Sequence, residues 1–331
     1  MKTIPLLEPL ADDLERVEHR LRQPIHPEHP QLTAVLHHLL GSGGKRLRPA
    51  LALLAGRFYP ADTDKVVSLA ASVEMLHTAT LVHDDLVDGA LLRRGSPTLN
   101  ASWSPGATVL AGDYFFARAA ALATETGRVR VMEIFANTLM IICSGELRQI
   151  FDRRAVPCLT SDEDRRLAVD RYDQRIEAKT ASLFAAATEA AAVLSSASEA
   201  EIGALRDYGR LLGMGFQIAD DVLDFQGDAA MLGKPVAGDL REGIVTLPAL
   251  YYLCAHPDDE RVAAVVCGRE ADDRRVREVV AAIQASGATE QAMARAREFI
   301  ARSQAALSVL PDSQPRAILH ALAEYSVARE H

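Results

Sequence analysis

The sequence predicts an all-α protein organised as one large helical domain, and three observations lead there. Apolar residues recur at three- and four-residue spacing through long stretches rich in Ala, Leu, Glu and Arg. No alternating strand series or βαβ rhythm interrupts them. No low-complexity linker or short-period repeat divides the 331 residues. At 49% hydrophobic, the chain carries enough apolar surface for a sizeable core, which excludes whole-chain disorder.

Taken in order, residues 1–30 read as a peripheral helix and loop, with Pro24 to Pro30 marking the loop. Helical spacing then runs near 31–41, 46–58 and 64–88, and stops at the Gly89 to Pro105 segment. It resumes near 106–124, 128–151, 162–196 and 198–225, and stops again between Gly227 and Gly243. Further stretches lie near 244–255, 272–286, 288–307 and 314–330, the last with Ile318, Leu319, Leu322 and Tyr325 on one stripe. The β-branched run Val262 to Val266 is ambiguous between strand and helix. A set of about a dozen helices exceeds a four-helix bundle.

With 36 Lys+Arg against 45 Asp+Glu, the formal charge of −9 argues against non-specific nucleic-acid binding. An anionic substrate therefore needs local cation clusters or metal ions. The cysteines (Cys143, Cys158, Cys254, Cys267) form no CxxC pair and read as buried free thiols suited to a reducing cytoplasm. Met1 to Arg22 carries acidic residues and no long apolar core, unlike a signal peptide. No run of 18 uncharged apolar residues appears, so the expectation is a soluble, cytoplasmic chain that does not span a membrane.

The chemistry begins with two acidic clusters, His83-Asp84-Asp85-Leu86-Val87-Asp88 and Ala219-Asp220-Asp221-Val222-Leu223-Asp224, each closing an apolar helical stretch. At helical spacing Asp84 and Asp88 lie about 40° apart on one face, as do Asp220 and Asp224. Carboxylates crowded this way repel each other unless cations sit between them. Mg²⁺ suits the task, because it is hard, prefers oxygen, and bridges protein carboxylates to substrate phosphates. A single cluster is more readily explained as a solvated acidic turn; two of identical spacing are much less so.

Cations supply the complement. Gly41-Ser42-Gly43-Gly44-Lys45-Arg46-Leu47-Arg48-Pro49 sets three of them beside a glycine-rich turn. A Walker motif is rejected, because the hydroxyl residue after the Lys, the glycine spacing and the preceding strand are all missing. An anion cradle remains sensible, since glycines expose backbone N–H groups and Arg binds phosphate bidentately. Arg93-Arg94-Gly95, Lys179-Thr180 and Lys234 complete the set.

Together HDDLVD, the following Arg93-Arg94-Gly95, the preceding GGKRLRP and the later Gly215-Phe216-Gln217-Ile218-Ala219-Asp220-Asp221-Val222-Leu223-Asp224 resemble the trans-isoprenyl diphosphate synthases, or polyprenyl synthetases. Lys179-Thr180, Gly233-Lys234-Pro235, Gly238-Asp239-Leu240 and Thr246-Leu247-Pro248 follow in that family's order, so the resemblance covers nearly the whole chain. It implies a single polyprenyl synthetase domain over residues 1–331: an isoprenoid-synthase-like helical bundle around a deep central cavity, Mg²⁺-dependent and homodimeric.

The implied reaction condenses an allylic diphosphate head-to-tail with isopentenyl diphosphate, repeatedly, to give an all-trans polyprenyl diphosphate. By resemblance, several Mg²⁺ ions bridge the allylic diphosphate, held by Asp84, Asp88 and Asp220, with Asp85 supporting and Asp221 and Asp224 nearby. Arg93, Lys179, Thr180, Gln217 and Lys234 grip the allylic diphosphate, Lys179 counting with the aspartates as catalytic. Lys45, Arg48, His77 and Arg94 hold isopentenyl diphosphate without metal. His77 falls about 20° from Asp84 around the helix, and Gln217 about 60° from Asp220.

Product length is implied by Ala79 and Thr80, the chain-length positions preceding the first cluster. Both are small, and Ile244 replaces a Lys common in the family, so the chain resembles medium- and long-chain members such as heptaprenyl or octaprenyl synthases. A farnesyl or geranylgeranyl synthase, or one subunit of a heteromeric synthase, is the alternative. A class I terpene cyclase fits less well, because two complete DDxxD clusters and GGKRLRP are present.

Overall fold

A computed structural model describes residues 4–23, 30–41, 44–93, 95–226, 236–269 and 272–328. Helix α4 (Thr63–Val87) organises the first of two packed units, which comprises Met1–Thr138, Leu183–Gly209 and Ala306–Leu322. Asp62 caps its start by accepting from the Asp64 N–H at 3.1 Å. Every residue from Val66 to Leu76 is buried, on all faces of the helix, which makes it a core helix. It is long and apolar enough to cross a bilayer, but 78% of that stretch is buried inside the structure.

Around α4 pack α1 (Ala11–Arg22), α3 (Leu47–Ala55) and α5 (Pro105–Thr124). The N-terminal helix, expected at the periphery, lays Leu14, Val17 and Leu21 into the buried side of this unit. Helix α2 (Pro30–Gly41) precedes the glycine-rich turn, and Ser72 donates to the Ala119 carbonyl at 2.7 Å to tie α4 to α5. The gap after α4 holds a two-residue hairpin, Leu92–Arg93 antiparallel to Ser96–Pro97, turning at Gly95 with φ +76°. This small sheet is absent from the helical reading of the sequence, because pairs of residues carry no periodic signal.

Helix α6 (Val129–Asp152) is followed by α7 (Asp162–Ile176), which a Ser161/Asp164 capping box starts. The expected helix over 162–196 is α7, a π-helical turn at Glu177–Ala181, and α8 (Ser182–Leu194). Helix α9 (Glu199–Gln226) carries the second acidic cluster.

The second unit comprises Leu139–Ser182, Arg210–Ala305 and Ala323–His331. Its later helices are α10 (Gly238–Arg241), α11 (Leu247–Ala255), α12 (Glu260–Val266), α13 (Asp273–Ala285) and most of α14 (Ala288–Ala306); α15 (Gln314–Val327) follows. The ambiguous valine run is helical. Asp259 caps α12 by accepting from the Arg261 N–H at 3.0 Å, and Val262, Val265 and Val266 share a buried cluster with Val276, Val279 and Ile283. Tertiary packing outweighs strand propensity there.

Candidate active site

Each acidic cluster terminates its helix at the C-terminal end, where unsatisfied carbonyls make the environment negative. Carboxylates at that position are electrostatically unfavourable without cations. Asp88 is the C-cap of α4, its N–H donating to the Asp84 carbonyl at 2.9 Å. Asp84 and Asp88 are half-buried, whereas Asp85 turns inward and accepts from Arg93 Nε at 2.7 Å. The hairpin holds Arg93 for that pairing, and Thr98 ties it down by donating to the Ala90 carbonyl at 2.6 Å.

The same helix presents His77 and Thr80 half-buried, with Thr80 donating to the His77 carbonyl at 2.8 Å, and Ala79 fully buried. His83, to which the sequence assigned no role, brackets the helix end. Its ring packs onto Gly112 of α5, where a Cβ would lie 2.2 Å from Nε2, and sits 5.0 Å from the Phe116 ring.

The three cations of the glycine-rich turn divide. Lys45 is exposed, and Arg48 places its guanidinium 4.7 Å from the Phe184 ring centroid. Arg46 does the opposite. It adopts a left-handed backbone, φ 49°, and buries its guanidinium against Glu18, Glu74 (2.8 Å) and the Leu40 carbonyl (3.1 Å). Burial alone would lower its pKa, but Glu74 and Glu18 more than offset this and keep it charged. Arg94, Lys234 and the Gly233–Pro235 motif lie outside the described residues.

In the second unit the site is a chain of hydrogen bonds. Thr180 donates to Gln217 Oε1 at 2.7 Å, and Gln217 Nε2 donates to Asp221 Oδ1 at 2.8 Å. Tyr172 of α7 donates to Asp221 Oδ2 at 2.7 Å. Burial pushes Asp221 up to about 6, against the lowering effect of these hydrogen bonds. Asp220 beside it is exposed. Asp224 accepts from the N–H groups of Gly238 (3.1 Å) and Asp239 (3.3 Å), fixing the start of α10. Burial and the neighbouring Asp221 and Asp224 raise Asp239 well above the carboxylate range.

Lys179 and Thr180 stand in the π-helical turn, a feature frequent at functional sites because it re-aims side chains. Gly145 lets α6 approach that turn, since a Cβ there would lie 2.6 Å from Ala178 Cβ. Glu146 next to it pairs with Lys179 at 3.0 Å. At the position where the sequence departs from its family pattern, Ile244 is half-buried, and the next carbonyl, Val245, accepts from Arg175 at 2.7 Å. Tyr172, Arg175, Glu146 and Asp239 are participants that the sequence reading gave no role. A Tyr seven residues before the Lys-Thr pair was the available signal for the first.

Every donor in the two clusters is a carboxylate oxygen, which suits a hard divalent cation. Among the described residues, no three or more His, Cys, Asp or Glu close into an all-protein metal cage. Such open sets fit ions that complete their coordination on a substrate's phosphates.

An all-α chain with paired carboxylates ending two helices, flanked by Lys and Arg, is a trans-prenyltransferase in its fold and its chemistry. The polyprenyl synthetase profile matches residues 29–283, and the chain belongs to that family. It is 39% identical over 324 residues to heptaprenyl diphosphate synthase component 2 of Geobacillus stearothermophilus, spanning 97% of each chain. It is 35% identical over 322 residues to octaprenyl diphosphate synthase of Escherichia coli strain K12, again spanning 97% of each. A polyprenyl synthase from Caulobacter crescentus CB15, solved with calcium and isoprenyl diphosphate, superposes with a TM-score of 0.89 at 37% identity, covering 98% of this chain and 97% of that one.

Proposed function

We propose that the protein condenses an allylic diphosphate with isopentenyl diphosphate, repeatedly, in a Mg²⁺-dependent reaction that yields a medium- or long-chain all-trans product. The observation that carries this is the pair of matched carboxylate clusters at helix C-termini, one beside Arg93 and the other beside the Lys179 turn and the Thr180–Gln217–Asp221 chain. Mg²⁺, when bound, neutralises the leaving diphosphate as a Lewis acid. Asp84, Asp88 and Asp220 hold the metal, while Asp85 and Asp221, engaged by protein donors, orient the neighbouring chain. Arg93, Lys179, Thr180, Gln217 and Lys234 grip the allylic diphosphate.

Lys45, Arg48, His77 and Arg94 hold isopentenyl diphosphate. Its alkene attacks the allylic carbon as the diphosphate leaves, and a proton is then lost to give the new trans double bond. The departing diphosphate is the base in this reading, as no protein base is uniquely placed among the described residues. The two units form one functional domain in this reading, supported by a profile match that runs unbroken through both. Small residues at Ala79 and Thr80 and the heptaprenyl and octaprenyl relatives support the longer product.

The chain acts as a cytoplasmic homodimer in this reading. Met140, Leu147 and Phe151 of α6 are 62%, 53% and 80% exposed at seven- and four-residue spacing, an apolar stripe that a second copy would cover. A heteromer is the competing reading, because the Geobacillus relative is one component of its synthase. Incubating purified protein with isopentenyl diphosphate, Mg²⁺ and geranyl, farnesyl or geranylgeranyl diphosphate, then sizing the products, tests the activity. Light scattering of the same sample tests the assembly. Products stopping at farnesyl diphosphate under excess isopentenyl diphosphate refute the longer-chain reading, and an inactive monomer favours the heteromer.

A further inference from the structure

We propose that Arg46 is a positioning residue for the isopentenyl diphosphate site: it binds no substrate, and its buried guanidinium fixes the Lys45 and Arg48 turn against helices α1 and α4. The inference rests on the reading that Lys45 and Arg48 hold isopentenyl diphosphate. Three contacts from three separate elements converge on this one side chain. Glu18 comes from α1, the Leu40 carbonyl from the end of α2, and Glu74 from α4. Glu74 stands one turn before His77, so the anchor and the site histidine share the same helix.

The local backbone agrees. Arg46 is a non-glycine residue in the left-handed region, φ 49° and ψ 35°, immediately before α3. Such a conformation persists where the surroundings over-determine it. The left-handed twist at Arg46 places Lys45 in the exposed turn and begins the helix in which Arg48 is the second residue. Gly44 belongs to the same device, because a Cβ there would lie 3.0 Å from Arg46 Nη1 and 3.8 Å from Glu74 Oε1. A charge-assisted fork held by two carboxylates and a carbonyl is geometrically stiff, as a lysine's single ammonium would not be.

The experiment compares Arg46→Met, Arg46→Lys, Gly44→Ala and the double variant Arg46→Met/Glu74→Met with Lys45→Ala, measuring KM for each substrate, kcat and thermal unfolding. Arg46→Met should raise the KM for isopentenyl diphosphate by on the order of 10- to 100-fold, the scale expected for an ångström of misplacement. The KM for the allylic primer should stay within about twofold, since that interaction is unchanged. Arg46→Lys should fall between. Removing Arg46 and Glu74 together leaves Glu18 with Arg22 at 3.4 Å as its partner, so the double variant should recover part of the thermal midpoint lost in Arg46→Met while the isopentenyl diphosphate KM stays raised.

An Arg46→Met protein that folds with an unchanged isopentenyl diphosphate KM overturns the proposal, as does an equal rise for both substrates. Should Arg46→Met not fold, the same two results in the double variant and Gly44→Ala overturn it instead. Lys45→Ala separates the levels. If it leaves the isopentenyl diphosphate KM unchanged, the site reading and the proposal both fall; if it raises that KM and the Arg46 variants do not, only the positioning role falls.

Discussion

The two aspartate clusters share a spacing and a place at a helix C-terminus, yet their surroundings differ in kind. Asp85, the middle residue of the first, is neutralised by the Arg93 guanidinium. Asp221, its counterpart in the second, accepts among the described residues from a phenol and an amide, both uncharged, and feels the Arg175 charge without a hydrogen bond to it. Motifs of identical spacing thus carry different electrostatic loads: Asp85 is bonded directly to a guanidinium, whereas Asp221 is bonded to neutral donors, with Arg175 acting on it through charge alone. The difference teaches that DDxxD specifies where carboxylates stand, while residues far away in sequence decide how strongly each cluster needs a cation.

The largest effect should leave the comparison symmetric. Asp84→Ala or Asp220→Ala should lower turnover by on the order of 10³-fold or more, because in the proposed mechanism each carboxylate would hold the metal that neutralises the leaving group. Far-ultraviolet circular dichroism should be nearly unchanged, since Asp84 is half-buried and Asp220 exposed. Near-normal turnover in either variant, or undiminished activity in excess chelator, breaks the two-cluster mechanism.

A second test sharpens the asymmetry through pH. Burial raises Asp221 from an ordinary 3.8 to about 6, so the folded carboxyl takes up a proton more readily than the unfolded one. The stability it contributes is therefore complete below about pH 4 and is lost as pH rises through about 6. The difference corresponds to on the order of 3 kcal/mol. In chelator, urea unfolding should show wild type gaining stability relative to Asp221→Asn as pH falls from 7.5 to 4.5. Parallel profiles for the two proteins would mean that Asp221 carries no burial-raised proton affinity and would remove the electrostatic distinction between the clusters.

Next in size is the contrast between a charged and a neutral partner. Both hydrogen bonds end on a carboxylate, but the Arg93 guanidinium adds the Coulomb attraction of a full positive charge that the Tyr172 phenol lacks. Arg93→Ala should weaken allylic diphosphate use by roughly 10- to 100-fold, with a loss that depends on salt. Tyr172→Phe should cost only about 3- to 10-fold and be insensitive to salt. Equal losses with equal salt dependence would place both aspartates in one electrostatic class.

Much of this was legible in the sequence, and the reasons for the remainder are physical. Helix class, the positions of most helices and both carboxylate pairs follow from spacing, which is local information. The π-helical turn at Glu177–Ala181 is not local: it sits where Gly145 of α6 comes close to Ala178, and the run 162–196 reads as one unbroken helix. Arg46 looks like a third surface cation until Glu18 and Glu74 are brought to it by folding. Tyr172 belongs to an ordinary amphipathic stretch until α9 supplies Asp221. In each case a partner at least 28 positions away decides what the side chain does.

The smallest effect on turnover, and the most informative on product, concerns the residue five positions before each cluster: Ala79 on α4 and Gly215 on α9. Both are buried. A Cβ at Gly215 would lie 2.9 Å from Ile300 Cδ1 and 3.0 Å from the Ala296 carbonyl, so α14 closes that position. Adding a ring there is overpacking against backbone and should cost Gly215→Tyr its folded state, read as lost helical signal. Ala79 lies about 7–8 Å along the helix from Asp84, early in any tail path that follows α4. If that path runs past Ala79, Ala79→Tyr finds room in it, folds with a thermal midpoint close to wild type, and still condenses short primers. Its products should then be shorter, shifting toward farnesyl and geranylgeranyl diphosphate, because the ring stands where later isoprene units must pass. Should Ala79→Tyr instead unfold as Gly215→Tyr does, position 79 faces closed core, and the tail must run along another face of α4, with Thr80 the first residue to enlarge in its place.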